Sequence, residues 1–239
     1  MNWHGFQAEE FLFEGRKAII VFPVNPDKEK NWAFKMEYWD AFPEMELMLL
    51  ERGYHLAFIE NKCRWALDFD MVMKARFAFY LSETYGLRNK CVPIGMSAGG
   101  AQAINFAGMY PELISCLLLE APVVDLASCP GKGCDGPGVW ENEVEPIFPH
   151  LTRENAARFS GNPINRLNKL IQNNIPAVLV YGDEDTIVLW QENSAKVIDA
   201  YKEKPELLIV MLRKGQGHHP HGFLDKSGPI IDNIIKIAR

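Results

Sequence analysis

Gly95-Met96-Ser97-Ala98-Gly99 sets a serine between two glycines, directly after a short apolar run and directly before a segment with helix-like composition. A serine in that setting sits on a sharp strand-to-helix turn with strained backbone angles. The flanking glycines are needed because a larger side chain would collide with neighbouring backbone. The preceding Cys91-Val92-Pro93-Ile94 predicts a buried parallel strand, and Ala98 to Met109, with Gly100 extending the small-residue run, predicts a helix that packs closely on a sheet. Glycine-serine-glycine patterns also occur in ordinary loops, so this one gains meaning only from partners elsewhere in the chain.

Two clusters supply candidates. The acidic turn Gly182-Asp183-Glu184-Asp185 follows the strand-like run Ala177 to Tyr181, and Gly217-His218-His219-Pro220-His221 follows the run Leu207 to Leu212. A serine hydroxyl is a weak nucleophile near neutral pH and needs a base within hydrogen-bond reach, itself oriented by a carboxylate. Ser97 is the candidate nucleophile, His218, His219 and His221 are candidate bases, and one of Asp183, Glu184 and Asp185 is the candidate acid. The chain order serine, acid, histidine differs from the orders of the two well-known serine protease folds and matches that of the α/β-hydrolases.

On these three signals the chain resembles the α/β-hydrolase superfamily over most of its length. The resemblance implies an α/β fold with a mostly parallel central sheet, helices on both faces and a small cap-like insertion. Gly215-Gln216-Gly217-His218 resembles that family's histidine loop, which favours His218 as the base, leaves His219 as runner-up and makes His221 a packing or rim residue. Gly182, Asp185 and Val188 match the family's Gly-x-x-Asp-x-x-Val pattern, which implies Asp185 as the triad acid; Asp183 is then expected to shape the turn through local backbone amides. Two donors must stabilise a developing oxyanion. One is expected to be the backbone amide of Ala98. The other is expected from the loop after the strand ending at Phe22, where Pro23 has no N–H, so that Val24 or Asn25 supplies it. The His-Gly motif common in lipases is absent, which argues against a lipase.

Early strands are expected at Phe11 to Phe13 and Lys17 to Phe22, followed by a long polar and aromatic loop from Pro23 to about Asp40. Trp32, Phe34, Tyr38 and Trp39 in that loop form a candidate platform for a sugar ring, an acyl group or an aromatic group; the alternative is that they pack the loop onto the body of the protein. Helices are expected at Glu44 to Arg52, stopped by Gly53, and at Asp68 to Tyr85, where Phe69, Val72, Met73, Phe77, Tyr80 and Leu81 fall at helical spacing before Gly86. Strands are also expected at His55 to Ile59 and Cys116 to Leu119, and the alternation of strands with long helices indicates βαβ units. Residues 125–163, rich in glycine, proline and charge, are too long for an ordinary connection and are expected to form a cap or a long loop over the site.

At 239 residues with 48% apolar content, the chain is expected to form one domain spanning residues 1–239. A formal charge of -6 and the lack of any dense basic block argue against nucleic acid as a partner. No apolar stretch is long enough to span a bilayer, so no membrane partner is expected, and the N-terminal residues carry no secretory signal pattern, so a cytoplasmic location is expected. Of the five cysteines, Cys63, Cys91 and Cys116 lie in or beside apolar segments, while Cys129 and Cys134 flank a short loop that a disulfide would close in an oxidising compartment; reduced thiols are favoured.

A narrower resemblance rests on Gly95 to Gly100, Glu120-Ala121-Pro122-Val123, Gly161-Asn162-Pro163 and Gly217 to His221 together. These segments are similar to a bacterial group of prolyl-oligopeptidase-like hydrolases often found beside carbohydrate-degrading enzymes and mostly described as esterases or uncharacterised. Many of that group carry arginines where this chain has Ala98 and Glu37, so an anion-binding role of those arginines does not carry over. The expectation is therefore a serine hydrolase that cleaves a small ester, with a carbohydrate acetyl ester first, through an acyl-enzyme on Ser97, His218 and Asp185. A small-molecule ester is the expected partner, and no metal or organic cofactor is expected. A small-peptide peptidase is the alternative within enzymes, and a non-catalytic ligand receptor or scaffold is the alternative outside them.

Overall fold

Successive residues of a strand point to opposite faces, and in β3 (Arg16–Phe22) both faces are apolar: Ala18 and Ile20 enter one hydrophobic cluster, Ile19 and Val21 another. A strand buried on both sides needs helices on both sides. The structure, a computed structural model, describes residues 1–129, 138–218 and 224–238, with the side chains of 224–227 left undescribed. Strands β1 (Asn2–Trp3), β2 (Phe6–Phe13), β3, β4 (Trp32–Lys35), β5 (His55–Ile59), β6 (Val92–Met96), β7 (Leu117–Glu120), β8 (Ala177–Gly182) and β9 (Leu208–Arg213) form one nine-stranded sheet in the order β1-β2-β3-β5-β4-β6-β7-β8-β9. The pairs β1–β2, β2–β3 and β3–β5 are antiparallel, and all pairs from β5 through β9 are parallel. This is the mostly parallel α/β architecture that the sequence implies.

The helices are α1 (Glu44–Glu51), α2 (Asp68–Tyr85), α3 (Ala98–Met109), α4 (Glu145–Ile147), α5 (Leu167–Gln172), α6 (Ser194–Ala200) and α7 (Leu224–Ile237). Buried residues of α2, α3, α5 and α6 join Trp32, Phe34, Leu117, Leu119 and Leu179 on one face. Buried residues of α1 and α7 join Ala33, Leu56, Ile94, Leu118 and Val180 on the other. None of the described helices is long and apolar enough to cross a membrane.

Two expectations are corrected. The stretch from Pro23 to Asp40 is not all loop, because Trp32–Lys35 is a fully buried strand between β5 and β6. Trp32 and Phe34 are consequently core residues, 1% and 0% exposed, and cannot act as a binding platform. On α2, Phe69 and Val72 face outward, at 48% and 42% exposure, and the buried stripe is Asp70, Met71, Lys74, Ala75, Phe77, Ala78 and Leu81. Asp70 tolerates burial because it pairs with Arg16 and accepts from the backbone amides of Lys62 (3.0 Å) and Cys63 (3.1 Å).

Residues 125–163 form short helical turns at Leu126–Ser128, Trp140–Val144, α4 and Ala156–Arg158. The described part is tied to the body by Asn105 of α3, which donates to the Gly161 carbonyl at 2.8 Å, and by Asn193, which accepts from the Asp125 amide at 3.2 Å; it is also tied within itself. Asn162 accepts from the Leu126 amide at 3.0 Å and donates to Asp125 at 2.8 Å, and the Arg153 guanidinium lies 4.6 Å from the centre of the Trp140 ring. Cys129 is buried, whereas Cys134 lies outside the described residues.

Lys74 is fully buried, donates to the Met36 carbonyl at 3.0 Å and lies over the Phe34 ring. Burial pulls its pKa down to about 7; Glu37 and Asp70 oppose the shift and Arg16 adds to it. An unfolded lysine keeps its proton to much higher pH, so between pH 7 and 10 the unfolded state binds more protons than the native one. Wild-type stability relative to Lys74→Met should therefore rise with pH across that window, by up to about 1.4 kcal/mol per pH unit. Below pH 7 the difference should stay constant. Urea unfolding of both proteins at several pH values checks this.

Candidate active site

In a parallel sheet the C-terminal strand ends lie along one edge. The register pairs Met96 with Glu120, Glu120 with Val180 and Gly182 with Arg213, so the residues that follow β6, β8 and β9 emerge together. Ser97 follows β6, Asp185 follows β8 and His218 follows β9.

Ser97 has φ 54° and ψ -123°, a conformation costly for a side-chain-bearing residue. Its neighbours hold it there. The Ser97 amide donates to the Glu120 carbonyl at 3.0 Å, and the Ser97 carbonyl accepts from Gly100 and Val123, both at 2.9 Å. A Cβ on Gly95 would stand 2.6 Å from the Gly99 carbonyl oxygen and 2.8 Å from the Gly100 Cα, which is why the turn needs glycine there.

Asp185 is 4% exposed. Its Oδ1 accepts from the amides of Ile187 and Val188, both at 2.9 Å, and its Oδ2 lies 2.7 Å from His218 Nδ1. His218 Nε2 lies 3.1 Å from Ser97 Oγ. With a carboxylate at Nδ1, the imidazole carries its proton on Nδ1 and presents Nε2 as acceptor to the serine hydroxyl. Asp183 is turned away from this line: it accepts from the Gly215 amide at 2.6 Å and so bridges to the histidine loop rather than bonding local amides. His219 and His221 lie outside the described residues.

The acid and histidine loops meet because residue 182 lacks a side chain. A Cβ on Gly182 would fall 2.0 Å from the Gln216 carbonyl oxygen, the same oxygen that accepts from the Glu184 amide at 3.0 Å.

A cavity of about 330 Å³ opens over the serine, lined by Tyr38, Ala41, Phe42, Arg64, Trp65, Met96, Ser97, Ala98, Val123, Val139, Ile187 and His218. Of the aromatic candidates only Tyr38 reaches it. Trp39 instead packs beside Trp3 and Phe58, with ring centres 4.9 and 5.3 Å apart. Sequence reasoning missed Arg64 and Trp65, whose one signal is their position just past the C-terminal end of β5. It also missed Val139 of the insertion, Val123 and Ile187.

The expected second oxyanion donor is also corrected. β3 runs antiparallel to β5, with Val21 paired to Leu56, so its C-terminal end lies at the edge of the sheet opposite Ser97. Val24 is there, 77% exposed, and the Asn25 carbonyl lies against Gly53, at the entry to β5. The strand whose end does reach the site is β4. Its following turn, Met36 to Tyr38, passes beside α3: a Cβ on Gly99 would meet Glu37 Cβ at 3.2 Å and Glu37 N at 3.6 Å. Ala98, at the start of α3, lines the cavity.

Buried polar groups fix that turn. The Met36 carbonyl accepts from Lys74 Nζ and from Asn61 Nδ2 (2.7 Å), and Asn61 also donates to Glu37 Oε2 at 2.9 Å. Gln102 of α3 donates to Glu37 Oε2 and, at 3.1 Å, to the Arg64 carbonyl. Arg64 Nη1 donates to the Tyr38 phenol oxygen at 3.1 Å. Burial raises the phenol's pKa, partly offset by Arg64, so the phenol remains protonated at neutral pH.

A model of the prolyl oligopeptidase family matches residues 68–228, more than half of the chain. Among solved structures, the chain is similar to a protein described as a dipeptidyl aminopeptidase IV from Bacteroides ovatus (TM-score 0.70, 14% identity) over 98% of this chain and 35% of that one. It is similar in the same way to puromycin hydrolase (TM-score 0.70, 17% identity) over 98% of this chain and 38% of that one. The chain thus spans little more than a third of the length of those two proteins. A protein described as a CIB-like hydrolase from Thermoplasma acidophilum matches along nearly its whole length (TM-score 0.60, 13% identity, 97% of this chain and 96% of that one). At these identities the likeness concerns the fold. No curated protein matches the chain.

Gly182→Ala tests the loop contact. It should displace Gln216 and with it His218, lowering the rate of Ser97 labelling by a fluorophosphonate by about tenfold or more and destabilising the fold by about 1–3 kcal/mol. Labelling kinetics and thermal unfolding on the same sample check both.

Proposed function

The chain belongs to the prolyl oligopeptidase family of serine hydrolases, and from that premise we propose that it hydrolyses a small ester bearing a short, uncharged acyl group. The observation that carries this reading is the line from Asp185 Oδ2 through His218 to Ser97 Oγ, with contacts of 2.7 and 3.1 Å, at the floor of a small and largely apolar cavity.

In this reading His218 Nε2 takes the serine proton as Oγ attacks the acyl carbon, and the imidazolium that forms is stabilised by buried Asp185. The carbonyl oxygen becomes an oxyanion. The Ala98 N–H receives it at the start of α3, together with a donor from the turn after β4, where Tyr38 offers its phenol O–H; its backbone N–H donates to Glu37 Oε1 at 3.4 Å. His218 then protonates the departing alcohol, leaving an acyl group on Ser97. Water, deprotonated by the same imidazole, releases the acid and restores the serine.

The lining supports a neutral acyl group. Arg64 is the cationic side chain among the lining residues, and its charge is balanced by Glu143. A sugar ester keeps less support than the sequence suggested, since three of the four aromatic residues proposed as a platform point elsewhere. A short-peptide or amide substrate is the second reading. It is favoured by the family match and by the peptidase and puromycin hydrolase descriptions of the structural neighbours.

Turnover of p-nitrophenyl acetate and butyrate, acetylated xylo-oligosaccharides and aminoacyl p-nitroanilides separates the readings. The expected outcome is ester hydrolysis with kcat/KM at least about tenfold above the best anilide, and a loss of about 10³-fold or more in Ser97→Ala and His218→Ala. Anilides turned over faster than esters would move the assignment to a peptidase. Activity retained in Ser97→Ala would remove the triad.

A further inference from the structure

The insertion between β7 and β8 lines the cavity with Val139 and is tied to two other lining residues by the carboxylate of Glu143. Glu143, on the turn Trp140–Val144, accepts from Arg64 Nε at 2.7 Å, from Arg64 Nη2, and from the Trp65 indole N–H at 3.1 Å. The third guanidinium nitrogen, Nη1, is the one that donates to Tyr38. The Arg64 guanidinium also lies 5.2 Å from the centre of the Trp65 ring. Tyr38, Arg64 and Trp65 all line the cavity with Ser97; Glu143 does not.

A two-pronged arginine–carboxylate pair fixes the plane of the guanidinium as well as its position. Here the guanidinium so fixed donates to the Tyr38 phenol and lies beside the Trp65 ring, whose N–H shares the Glu143 carboxylate. Both ion-pair partners are about one-third exposed, at 34% and 36%, so the pair contributes little to global stability. Its effect is local geometry. The four residues come from the turn after β4, the loop after β5 and the insertion; Asn61 and Gln102 already tie the first two together, and Glu143 joins the insertion to them at this wall.

We propose that Glu143 is a positioning residue that sets the acyl-chain length the site accepts. It acts through Arg64 and Trp65 and touches no substrate atom. The proposal rests on the reading of Ser97 as nucleophile and of this cavity as the acyl site. With Glu143 in place, Tyr38 and Trp65 are held as one wall of the cavity over Ser97. Without it, Arg64 loses both carboxylate contacts, Trp65 loses its acceptor, and the wall they form yields to longer chains.

The test compares kcat/KM for p-nitrophenyl acetate, butyrate and hexanoate in wild type, Glu143→Gln, Glu143→Ala, Tyr38→Phe and Glu143→Ala/Tyr38→Phe, with the Ser97 labelling rate by a small fluorophosphonate measured alongside. The expected result is a rise of about tenfold in the hexanoate-to-acetate ratio in Glu143→Ala, a smaller rise of the same sign in Glu143→Gln, and a fall in labelling rate, through the Tyr38 phenol, that is smaller than the rise in that ratio. If Glu143 acts through Arg64 on Tyr38, the change it causes should shrink in the Tyr38→Phe background, because coupled residues are non-additive. An unchanged ratio overturns the proposal. So does an equal slowing of all three esters and of labelling, which would mark Glu143 as merely structural; Glu143→Gln, close to isosteric, guards against reading a folding failure that way. Wild type that neither labels nor hydrolyses any ester overturns the functional reading first, and the proposal with it.

Discussion

Parallel hydrogen-bonding register from β4 to β9 is the constraint on which the site depends. It brings to one edge three residues that the chain separates widely: Ser97 lies 121 positions from His218, and Asp185 lies 33 from it. Each strand ends in a turn with a different task. The turn after β6 forces Ser97 to a positive φ, the turn after β8 wraps two amides around Asp185, and the loop after β9 approaches Gly182 closely enough to exclude any side chain there. Those amides satisfy one oxygen of a carboxylate that is nearly buried, so the other oxygen is left to the imidazole. A buried charge is tolerable when each of its oxygens has a partner, and Asp185 meets that condition.

Behind the cavity lies a second layer of polar groups. Lys74, Asn61 and Gln102 come from α2, the loop after β5 and α3, and they converge on two residues, Met36 and Glu37, of the turn after β4. Burying an amine and half-burying a carboxylate costs free energy that an apolar core would not. What it supplies is a turn with a defined direction, placed beside the start of α3 where an oxyanion is expected to form. Arg64 extends the same network outward, through Tyr38 and Glu143, so the pocket wall, the turn and the insertion form one connected set of contacts.

The legible part of the sequence was the part punctuated by glycine. The elbow, the acidic turn and the histidine loop each pair a strand-like run with glycine at a fixed place, and each strand lies where the run predicts it, to within a residue or two. β4 escaped notice because Trp32–Lys35 is only four residues long and buried on both faces, so it shows neither length nor alternation. That omission carried the oxyanion donor to Val24 and Asn25, whereas the strand ending at Phe22 runs antiparallel to β5 and the chain crosses over to insert β4 between β5 and β6. On α2, apolar spacing pointed to Phe69 and Val72, whereas Asp70 and Lys74 are buried because partners from β3 and from the turn after β4 satisfy them. Glu143 and Arg64 are 79 positions apart, and no local pattern relates them.

The central claim is that Ser97 becomes acylated during turnover. Rapid acid quenching of a reaction with p-nitrophenyl butyrate, followed by peptide mass analysis, tests it directly. The account predicts a butyryl adduct on the Ser97 peptide, formed with a burst of about one nitrophenolate per chain and absent in Ser97→Ala. Steady turnover with neither a burst nor an adduct, or an adduct on another residue, would contradict it.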